Sequence, residues 1–296
     1  MPADIAVVIG AQNARGTISE CLNSVVHQTS GANVEILVAD ASTDGTDEII
    51  RKDFPNVVLI RAGNEKLIPH LWGIGMERAQ APLVALTTAH CIPSPNWLEN
   101  ILKQASANKQ YAGFGGPINP TEELPPSDWA VYFSRYSAFM PPAKEGPVKD
   151  IPGDNAAYRK DALDRCWSDR EKGFWETIFH HALYEQGESV FMTPKVEVKL
   201  GQTESAVDYF GTRFKHGVHY GSTRPNNNGL IRVARIFAAP ILMPYLVLRI
   251  GRRVAQRRPD WVGRYIASLP WLLFFMTGWS LGEVWGYLNP VRNAHA

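Results

Sequence analysis

Asp40 is the first residue whose type and position could do chemistry. It ends an apolar run in the stretch VADASTDGT (residues 38–46), and a Ser-Thr-Asp-Gly sequence follows it. Asp and Gly in such a sequence are first of all turn residues. A carboxylate at the carboxyl end of a strand can also accept hydrogen bonds from the base or the ribose of a nucleotide. Asp40 is therefore a candidate nucleotide-binding residue, and a simple turn is the alternative.

The segments that would position Asp40 alternate between two kinds of pattern. Continuous runs of Val, Ile and Leu predict buried strands, and the amphipathic stretches between them predict helices. Thr17 and Glu20 have the spacing of a capping box at the start of the first helix. This alternation implies an α/β fold with a parallel sheet covered on both faces, and ligands bind such sheets outside the carboxyl ends of the strands. The predicted strands cover residues 4–10, 34–40, 56–62 and 82–89, the predicted helices residues 17–29, 44–54 and 69–80, and the strand ends of interest residues 10–13, 40–44 and 88–91.

The composition is that of a folded protein, with 45% hydrophobic and 20% charged residues. The three cysteines are far apart, which predicts buried thiols rather than a disulfide framework or a metal site. The N-terminal stretch has no basic segment and no cleavage site, so a reducing, cytoplasmic location is expected. The net charge of +1 hides an asymmetry, because residues 229–296 hold nine arginines and two acidic residues. This predicts a boundary near residue 228, with one domain at residues 1–228 and a basic, apolar region at residues 229–296.

Three motifs in the first domain resemble those of the family 2 glycosyltransferases, which have the GT-A fold. The chain has GAQN (residues 10–13), SVVHQ (24–28) and ADASTDGT (39–46) where the family has P-x-Y-N, S-x-x-x-Q and D-D-G-S-T-D-G-T. The resemblance implies a Rossmann-like, mostly parallel sheet and a nucleotide-sugar donor, with the second Asp of the last motif on the uracil or ribose of a UDP-sugar. Gln12 takes the place of a tyrosine that often stacks on the base, and an amide stacks poorly. The implied nucleotide-binding residues are Gly10, Gln12, Asn13, Asp40 and Asp44.

Thr88 and His90 lie where the family has its Asp-x-Asp motif. The segment TAHCIPSPNWLENIL (residues 88–102) keeps the family's register at Pro95 and Trp97. In the family the two carboxylates hold Mg²⁺ or Mn²⁺, which neutralises the diphosphate leaving group. Three interpretations stay open: His90 ligates a metal such as Mn²⁺ in a weakened site, His90 contacts the diphosphate directly, or catalysis has been lost. The cofactor is accordingly open among Mn²⁺, Mg²⁺ and no metal.

The segment GDNAAYRKDAL (residues 153–163) resembles the family segment that lies under the acceptor site. It contributes Asp154 and Asn155. Asp154 could orient donor or acceptor hydroxyls, and a helix cap is the alternative for it.

The segment GFWETIFHHALYEQGES (residues 173–189) contains the implied general base. Glu176 has the family's spacing to Gly187, which implies the acid that deprotonates the acceptor in an inverting transfer. Trp175 beside it favours partial desolvation and a raised pKa, which suits a base. His180 is one helical turn further on, so it is expected on the same face as Glu176, as a phosphate contact or a surface residue.

The C-terminal region combines arginines with apolar runs. Residues 236–248 carry no charge but are too short and too interrupted by proline to span a bilayer, so they are expected to lie in the membrane interface. Residues 249–264 hold six arginines, which suit anionic headgroups. Residues 265–288 contain an uncharged run of 18 residues, and they would span the bilayer or lie beside the first segment. Residues 236–288 are thus predicted to form membrane-associated helices on the cytoplasmic face of the inner or plasma membrane, as a peripheral, re-entrant or single-span anchor; a soluble helical subdomain is the alternative.

The motifs together predict an inverting glycosyltransferase of the hexosyltransferase type. It would move a sugar from a nucleotide, UDP by the resemblance, to a lipid-linked or other membrane-proximal glycan acceptor in cell-envelope polysaccharide synthesis. No nucleic-acid partner is predicted. The alternative is a non-catalytic GT-A-like scaffold or binding protein in a polysaccharide pathway. The missing carboxylates favour that alternative, whereas Glu176 disfavours it, because a scaffold has no need for that acid.

Overall fold

The computed structural model describes residues 2–121, 123–201, 205–224 and 229–289, and the chain forms two compact units. The first unit comprises Met1–Thr121 and Phe139–Gln202, and the second comprises Glu122–Ala138 and Thr203–Ala296. The predicted boundary near residue 228 therefore falls within the second unit. The division of function between two domains stays a prediction.

The first unit is built on two sheets. Its strands are β1 Ile5–Ala11, β2 Val34–Asp40, β3 Val58–Arg61, β4 Leu83–Thr88, β5 Cys91–Pro93, β6 Gly113–Gly115, β7 Ile118–Pro120, β8 Gly146–Val148, β9 Ala156–Arg159, β10 Val190–Met192 and β11 Val198–Leu200. Eight strands form one sheet in the order β3-β2-β1-β4-β9-β6-β10-β8, and β5-β11-β7 form the other. Strands β1 to β4 are parallel to one another, and β9 runs antiparallel between β4 and β6. The predicted α/β class is confirmed.

Helices cover the large sheet and form most of the second unit. The helices are α1 Ile18–Val26, α2 Thr46–Asp53, α3 Ile68–Arg78, α4 Trp97–Ala107, α5 Pro126–Tyr136, α6 Lys160–Cys166, α7 Glu176–Glu185, α8 Ala206–Thr223, α9 Gly229–Arg257 and α10 Val262–Leu288. Short 3-10 turns occupy Gly153–Asn155, Arg170–Lys172 and Pro259–Trp261. Helices α5 and α8 to α10 belong to the second unit.

Apolar patterning explains the strand–helix order of the first unit. Every residue of β1 and of β4 is buried, as expected for strands covered on both faces. Helix α1 buries its apolar stripe against this sheet, and all three cysteines are free, buried thiols as predicted. Trp72 of α3 is also buried, and its Nε1 donates a hydrogen bond to the carbonyl of Thr87 over 2.8 Å.

The predicted capping box at the start of α1 is wrong. Thr17 precedes the helix as predicted, but its side chain makes no capping hydrogen bond. Its hydroxyl instead donates to the carbonyl of Ala14 over 3.4 Å and lies 3.5 Å from Nδ1 of His90. Thr17 therefore faces the strand-end region rather than its own helix.

The second unit corrects the expectation that prolines interrupt residues 236–248. Pro240 and Pro244 lie inside α9, which continues unbroken for 29 residues. Each proline lacks a backbone donor and its ring crowds the carbonyl four residues earlier, but the turns on either side keep the helix going. Within the described residues, one helix, Leu230–Arg257, is long and apolar enough to cross a membrane, and 11% of its most apolar window is buried.

Helices α8 and α10 pack through glycines. A Cβ atom at Gly217 would collide with the carbonyl of Trp279, and one at Gly282 would collide with the carbonyl of Phe214. The same close approach occurs between Gly221 and the α10 backbone. Only glycine allows two helix backbones to come so near to each other.

Candidate active site

Four strands of the first unit end side by side at the sheet edge where a ligand was expected. Asp40 at the end of β2 is the register partner of Ala11 in β1 and of Arg61 in β3. Gly10 is the partner of Thr88 at the end of β4. Because neighbouring strands lie about 4.8 Å apart, the side chains from β3 to β4 spread over about 14 Å. This row of strand ends is long enough to hold an extended ligand rather than a single ion.

The carboxylate of Asp40 is completely buried and faces protein groups. Its Oδ1 accepts hydrogen bonds from the backbone N–H of Ser42 over 3.0 Å and from the Ser42 hydroxyl. Its Oδ2 accepts from the guanidinium of Arg61, whose side chain is 39% exposed. Arg61 was missed by sequence reasoning, although its place as the last polar residue of a predicted strand is a signal that could have found it.

The loop after β1 is fastened to the loop after β2. Asn13 has a left-handed backbone conformation with φ of 48°. Its N–H donates to the Ser42 hydroxyl over 2.8 Å, and its Oδ1 accepts from the N–H of Thr43 over 3.0 Å. Gly10 is buried and Gln12 is half-buried next to this junction. The two predicted nucleotide loops therefore form one surface.

Asp44 holds the start of α2. Its Oδ1 accepts hydrogen bonds from the N–H and the hydroxyl of Thr46, and its Oδ2 accepts from the N–H of Arg15 over 3.0 Å. Partial burial opposes ionisation, but these hydrogen bonds outweigh it and lower the pKa of Asp44 below its ordinary value. The geometry gives Asp44 a role in shaping the loop.

Thr88 and His90 lie at the end of β4 and in the turn that follows it. The Thr88 hydroxyl donates to Oδ1 of Asp154 over 3.0 Å. His90 is 9% exposed, with Nδ1 near the Thr17 hydroxyl as described above, and its carbonyl accepts from the N–H of Gly201 over 2.7 Å. Thr88 is thus hydrogen-bonded to a carboxylate from the turn that precedes β9.

The donor set at this strand end does not form a protein cage for a divalent cation. Among the described residues, no group of three or more His, Cys, Asp or Glu side chains converges. Asp154 supplies one carboxylate here, and His90 is an imidazole that suits Mn²⁺ better than Mg²⁺. Either ion would need phosphate oxygens of a substrate and water to complete its coordination.

Asn155 is buried and joins three other segments through side-chain hydrogen bonds. Its Nδ2 donates to the carbonyls of Pro117 and Val196, both over 2.9 Å, and its Oδ1 accepts from Nε1 of Trp97 over 2.8 Å. All three groups are buried. Asn155 therefore holds the segment that carries Asp154, and an exposed orienting role for Asn155 stays a prediction.

Glu176 begins α7 and is half-buried. A Cβ atom at Gly153 would lie 3.3 Å from Cδ of Glu176 and 2.8 Å from the ring of Trp72. Gly153 therefore leaves the space that the Glu176 carboxyl needs. Gly153 precedes Asp154 in the chain, so Glu176 lies against the segment that carries Asp154.

His180 is buried and directed away from an open surface. Its Nε2 lies 2.8 Å from the hydroxyl of Tyr158, and its Nδ1 donates to Asp150 over 3.2 Å. The hydrogen bond from His180 lowers the pKa of Asp150, whereas burial and then the charge of Glu176 raise the pKa of Tyr158 well above its ordinary value. Both ring nitrogens of His180 therefore have protein partners, and the predicted phosphate contact stays a prediction.

Trp175 is half-buried directly before Glu176. Its Nε1 donates to the carbonyl of Lys172 over 2.9 Å, and its ring meets His70 edge-on with centroids 6.2 Å apart. The indole is thereby held beside Glu176, and a role of Trp175 in orienting the acceptor or the donor stays a prediction.

Comparisons with known proteins agree with this architecture. The model of glycosyl transferase family 2 matches residues 6–167, which include the strand ends from Gly10 to Asp154. Glycosyltransferase AglE of Haloferax volcanii is 30% identical over 100 residues, which are 32% of this chain and 33% of that relative. The match thus spans about a third of the length of that curated relative.

Solved structures show the same fold at low identity. Mannosyltransferase PcManGT from Pyrobaculum calidifontis, in complex with GDP-Man and Mn²⁺, has a TM-score of 0.53 at 16% identity and covers 96% of this chain and 88% of its own. S. aureus TarS 1–349 has a TM-score of 0.51 at 14% identity and covers 96% and 90%; it is also known in complex with UDP-GlcNAc. These likenesses establish the GT-A fold alone. Because the family model matches more than half of the 296 residues, the chain belongs to glycosyl transferase family 2.

Proposed function

We propose that the chain is an inverting glycosyltransferase that moves a sugar from a nucleotide-sugar donor, a UDP-sugar by its motifs. The observation that carries the proposal is the polar edge, the row of strand ends that brings Arg61, Asp40 and Thr88 to one side of the sheet, with Asp154 bonded to Thr88 and Glu176 beside Gly153. A donor extended along this edge would have its base at the β3–β2 end and its diphosphate near the end of β4. Its anomeric carbon would then lie beside Glu176. Membership of family 2 supports this direction of the donor.

Glu176 is the proposed general base. Its carboxylate takes the proton of the acceptor hydroxyl while that oxygen forms a bond to the anomeric carbon. The bond between the anomeric carbon and the diphosphate oxygen breaks on the opposite face, and the nucleoside diphosphate leaves with the electron pair. Attack opposite the leaving group inverts the configuration. The space at Gly153 supports the proposal, because a larger side chain there would crowd the carboxyl of Glu176.

His90 is the proposed contact of the diphosphate, and Asp154 the proposed contact of sugar hydroxyls. An imidazole can donate a hydrogen bond to a phosphate oxygen and, when protonated, adds a positive charge. The Thr88 hydroxyl fixes the Asp154 carboxylate, so that Asp154 could hold a hydroxyl in one position. A Mg²⁺ or Mn²⁺ ion brought by the donor phosphates would supply neutralisation of the leaving charge.

The acceptor is proposed to be lipid-linked or otherwise close to a membrane. Helix α9 has arginines on both sides of its uncharged stretch, and large apolar side chains on it are exposed. Such a helix can lie in the headgroup region, with its arginines on anionic lipid. The second unit would then hold the enzyme at the cytoplasmic face, where nucleotide sugars are available. The exposed apolar residues of α9 are Leu230, Ile231, Val233, Phe237, Ile241, Leu242, Tyr245 and Leu248.

A second candidate function is a non-catalytic GT-A-like binding protein. Thr88 and His90 favour it, because two carboxylates would be the usual family residues at that strand end. A substitution of Glu176 distinguishes the two candidate functions. An enzyme loses its activity when Glu176 becomes Gln, whereas a scaffold keeps its cellular role.

The proposal is tested by nucleotide binding and by transfer. Calorimetry would measure UDP, GDP and CDP binding to the purified full chain with Mn²⁺, with Mg²⁺ and with EDTA. Binding of at least one nucleotide supports the donor site, and survival of binding in EDTA assigns the diphosphate to protein groups such as His90. No binding in any condition overturns the enzyme proposal.

Transfer is measured with the Glu176→Gln variant. General-base removal is expected to lower the transfer rate about 10²- to 10⁴-fold while nucleotide affinity stays within about twofold. Glu185→Gln is the matched control, because Glu185 ends the same helix and is 67% exposed beside His181. Equal activities of the two variants would remove Glu176 from the mechanism.

A further inference from the structure

We infer that Arg61, and not Asp40, is the residue that contacts the nucleotide base, and that it selects bases with an outer carbonyl over bases with an outer amino group. The inference rests on the proposed function, because it takes the base to lie at the β3–β2 end of the polar edge. It names a specificity-determining residue and a class of donor: uracil or guanine nucleotides rather than cytosine or adenine nucleotides.

The burial of the two partners decides which of them a ligand can meet. The Asp40 side chain is 0% exposed, whereas the Arg61 side chain is 39% exposed. Both oxygens of Asp40 accept hydrogen bonds from within the protein, Oδ1 from Ser42 and Oδ2 from Arg61. A ligand at these strand ends therefore meets the guanidinium, with the carboxylate behind it.

Asp40 and its surroundings hold the guanidinium in one place. Besides its bond to Asp40, Arg61 donates from its second terminal nitrogen to the carbonyl of Ser42 over 2.9 Å. Asp47 adds an ion pair at 3.7 Å. A buried carboxylate is costly unless it is paired, so Asp40 and Arg61 stabilise each other. The guanidinium is thus already positioned before a ligand arrives.

The chemistry of a guanidinium decides which base it accepts. Arg has five N–H donors and no acceptor, and two of these donors are used by Asp40 and Ser42. The remaining donors can bond a carbonyl oxygen, such as O4 of uracil or O6 of guanine. The amino group at the same place in cytosine or adenine is a donor, so it would face Arg61 donor to donor. A site built to bond a carbonyl oxygen rejects an analogue that lacks it.

UDP and CDP form the sharpest test, because they differ along one edge of the base alone: uracil has a carbonyl oxygen at position 4 and an N–H at position 3, whereas cytosine has an amino group at position 4 and an unprotonated nitrogen at position 3. Calorimetry on the full chain would measure UDP, CDP and inorganic pyrophosphate, which has no base. For the native protein we expect UDP to bind at least about tenfold more tightly than CDP. In Arg61→Gln the UDP-to-CDP ratio is expected to fall to about one, while pyrophosphate affinity stays unchanged. GDP and ADP should repeat the pattern.

The control is Arg51→Gln. Arg51 pairs with Asp47 on the same helix, is 57% exposed and does not contact Asp40, so its loss removes a nearby charge without touching the proposed contact. If Arg61→Gln fails to fold because Asp40 is left unpaired, Arg61→Lys serves instead. Lysine keeps the positive charge but lacks the planar guanidinium group. The ratio of UDP to CDP affinity is therefore again expected to fall.

The outcomes separate this inference from the proposed function. An unchanged UDP-to-CDP ratio in both Arg61 variants overturns the inference while leaving the donor site standing. An equal loss of UDP and pyrophosphate affinity also overturns the inference, because Arg61 would then contact phosphate. If the native protein binds no nucleotide at all, the proposed function fails and the inference fails with it.

Discussion

The hydroxyl of Thr88 donates a hydrogen bond to the carboxylate of Asp154 over 3.0 Å, although the two residues are 66 positions apart in the chain. Both side chains are buried, at 1% and 6% exposure. The bond joins the end of β4 to the turn before β9. A residue type that cannot replace a metal-binding carboxylate thus has a definite structural task at this strand end.

Thr88→Val is expected to weaken both stability and transfer. Valine has nearly the shape of threonine but leaves Asp154 without this donor, which costs about 1–3 kcal/mol of unfolding free energy. Urea denaturation measures the stability change, and the transfer assay measures the effect of a less firmly held carboxylate. Thr88→Ser, which keeps the hydroxyl, is the matched control and should recover most of both losses. Identical losses in the two variants would assign the effect to packing.

Asn155→Ala is expected to be among the most destabilising single changes in the first unit. It leaves the carbonyls of Pro117 and Val196 and the indole N–H of Trp97 without their partner, for a loss of about 3 kcal/mol or more. Trp97→Phe removes only one of these bonds and should cost less, about 1–2 kcal/mol. Equilibrium unfolding of both variants checks the order. The reverse order would mean that the indole, rather than the amide, organises this junction.

Asp44 is expected to make stability fall with acidification. Its pKa is lowered in the folded chain from the ordinary value of 3.8, so the folded state favours the ionised form. The contribution is complete above pH 3.8 and is lost as the pH falls through the lower folded value. Unfolding free energies of the native protein and Asp44→Asn should therefore differ at pH 7 and converge towards pH 2. A difference that stays constant over this range contradicts the assignment.

Helix α9 is expected to carry the affinity for membranes. Ile241→Lys introduces a charge at a side chain that is 72% exposed, in the middle of the uncharged stretch. It should lower co-sedimentation with vesicles of anionic lipid by about tenfold, because a charge in the apolar face opposes insertion. Val207→Lys, at a side chain in α8 that is 75% exposed, is the control and should change little. Equal binding by all three proteins would leave α9 without a role in membrane association.

The strands and helices of the first unit could be predicted because their sequence signals are local. The apolar runs of β1, β2 and β4 are long enough to show buried strands, and the stripe of α1 has clear helical spacing. Thr17 was misassigned because a capping box has the same sequence whether or not the side chain turns towards its own helix. The prolines of α9 led to the wrong prediction of an interrupted segment, because the neighbouring helical turns continue the helix through them.

The positions of the site residues could be predicted from the sequence, but their hydrogen-bond partners could not. The motifs predicted Asp40 and Thr88 at strand ends and Glu176 at a helix start, and parallel strands bring their carboxyl ends to one edge. Arg61 could not be identified from a motif, since its importance comes from the register of β3 against β2. His180 was expected on the same face as Glu176, but its bonds to Tyr158 and Asp150, 22 and 30 residues away in the chain, could not be predicted from helical spacing.

The glycine contacts between α8 and α10 have a consequence for how the second unit behaves in different solvents. Because backbones meet there directly, the attraction between the two helices comes from dispersion forces over a close fit and depends little on water release. Such a joint keeps its strength when the surrounding medium changes from water to lipid or detergent. The helix pair is therefore expected to stay assembled in detergent as it does in water, without rebuilding its interior.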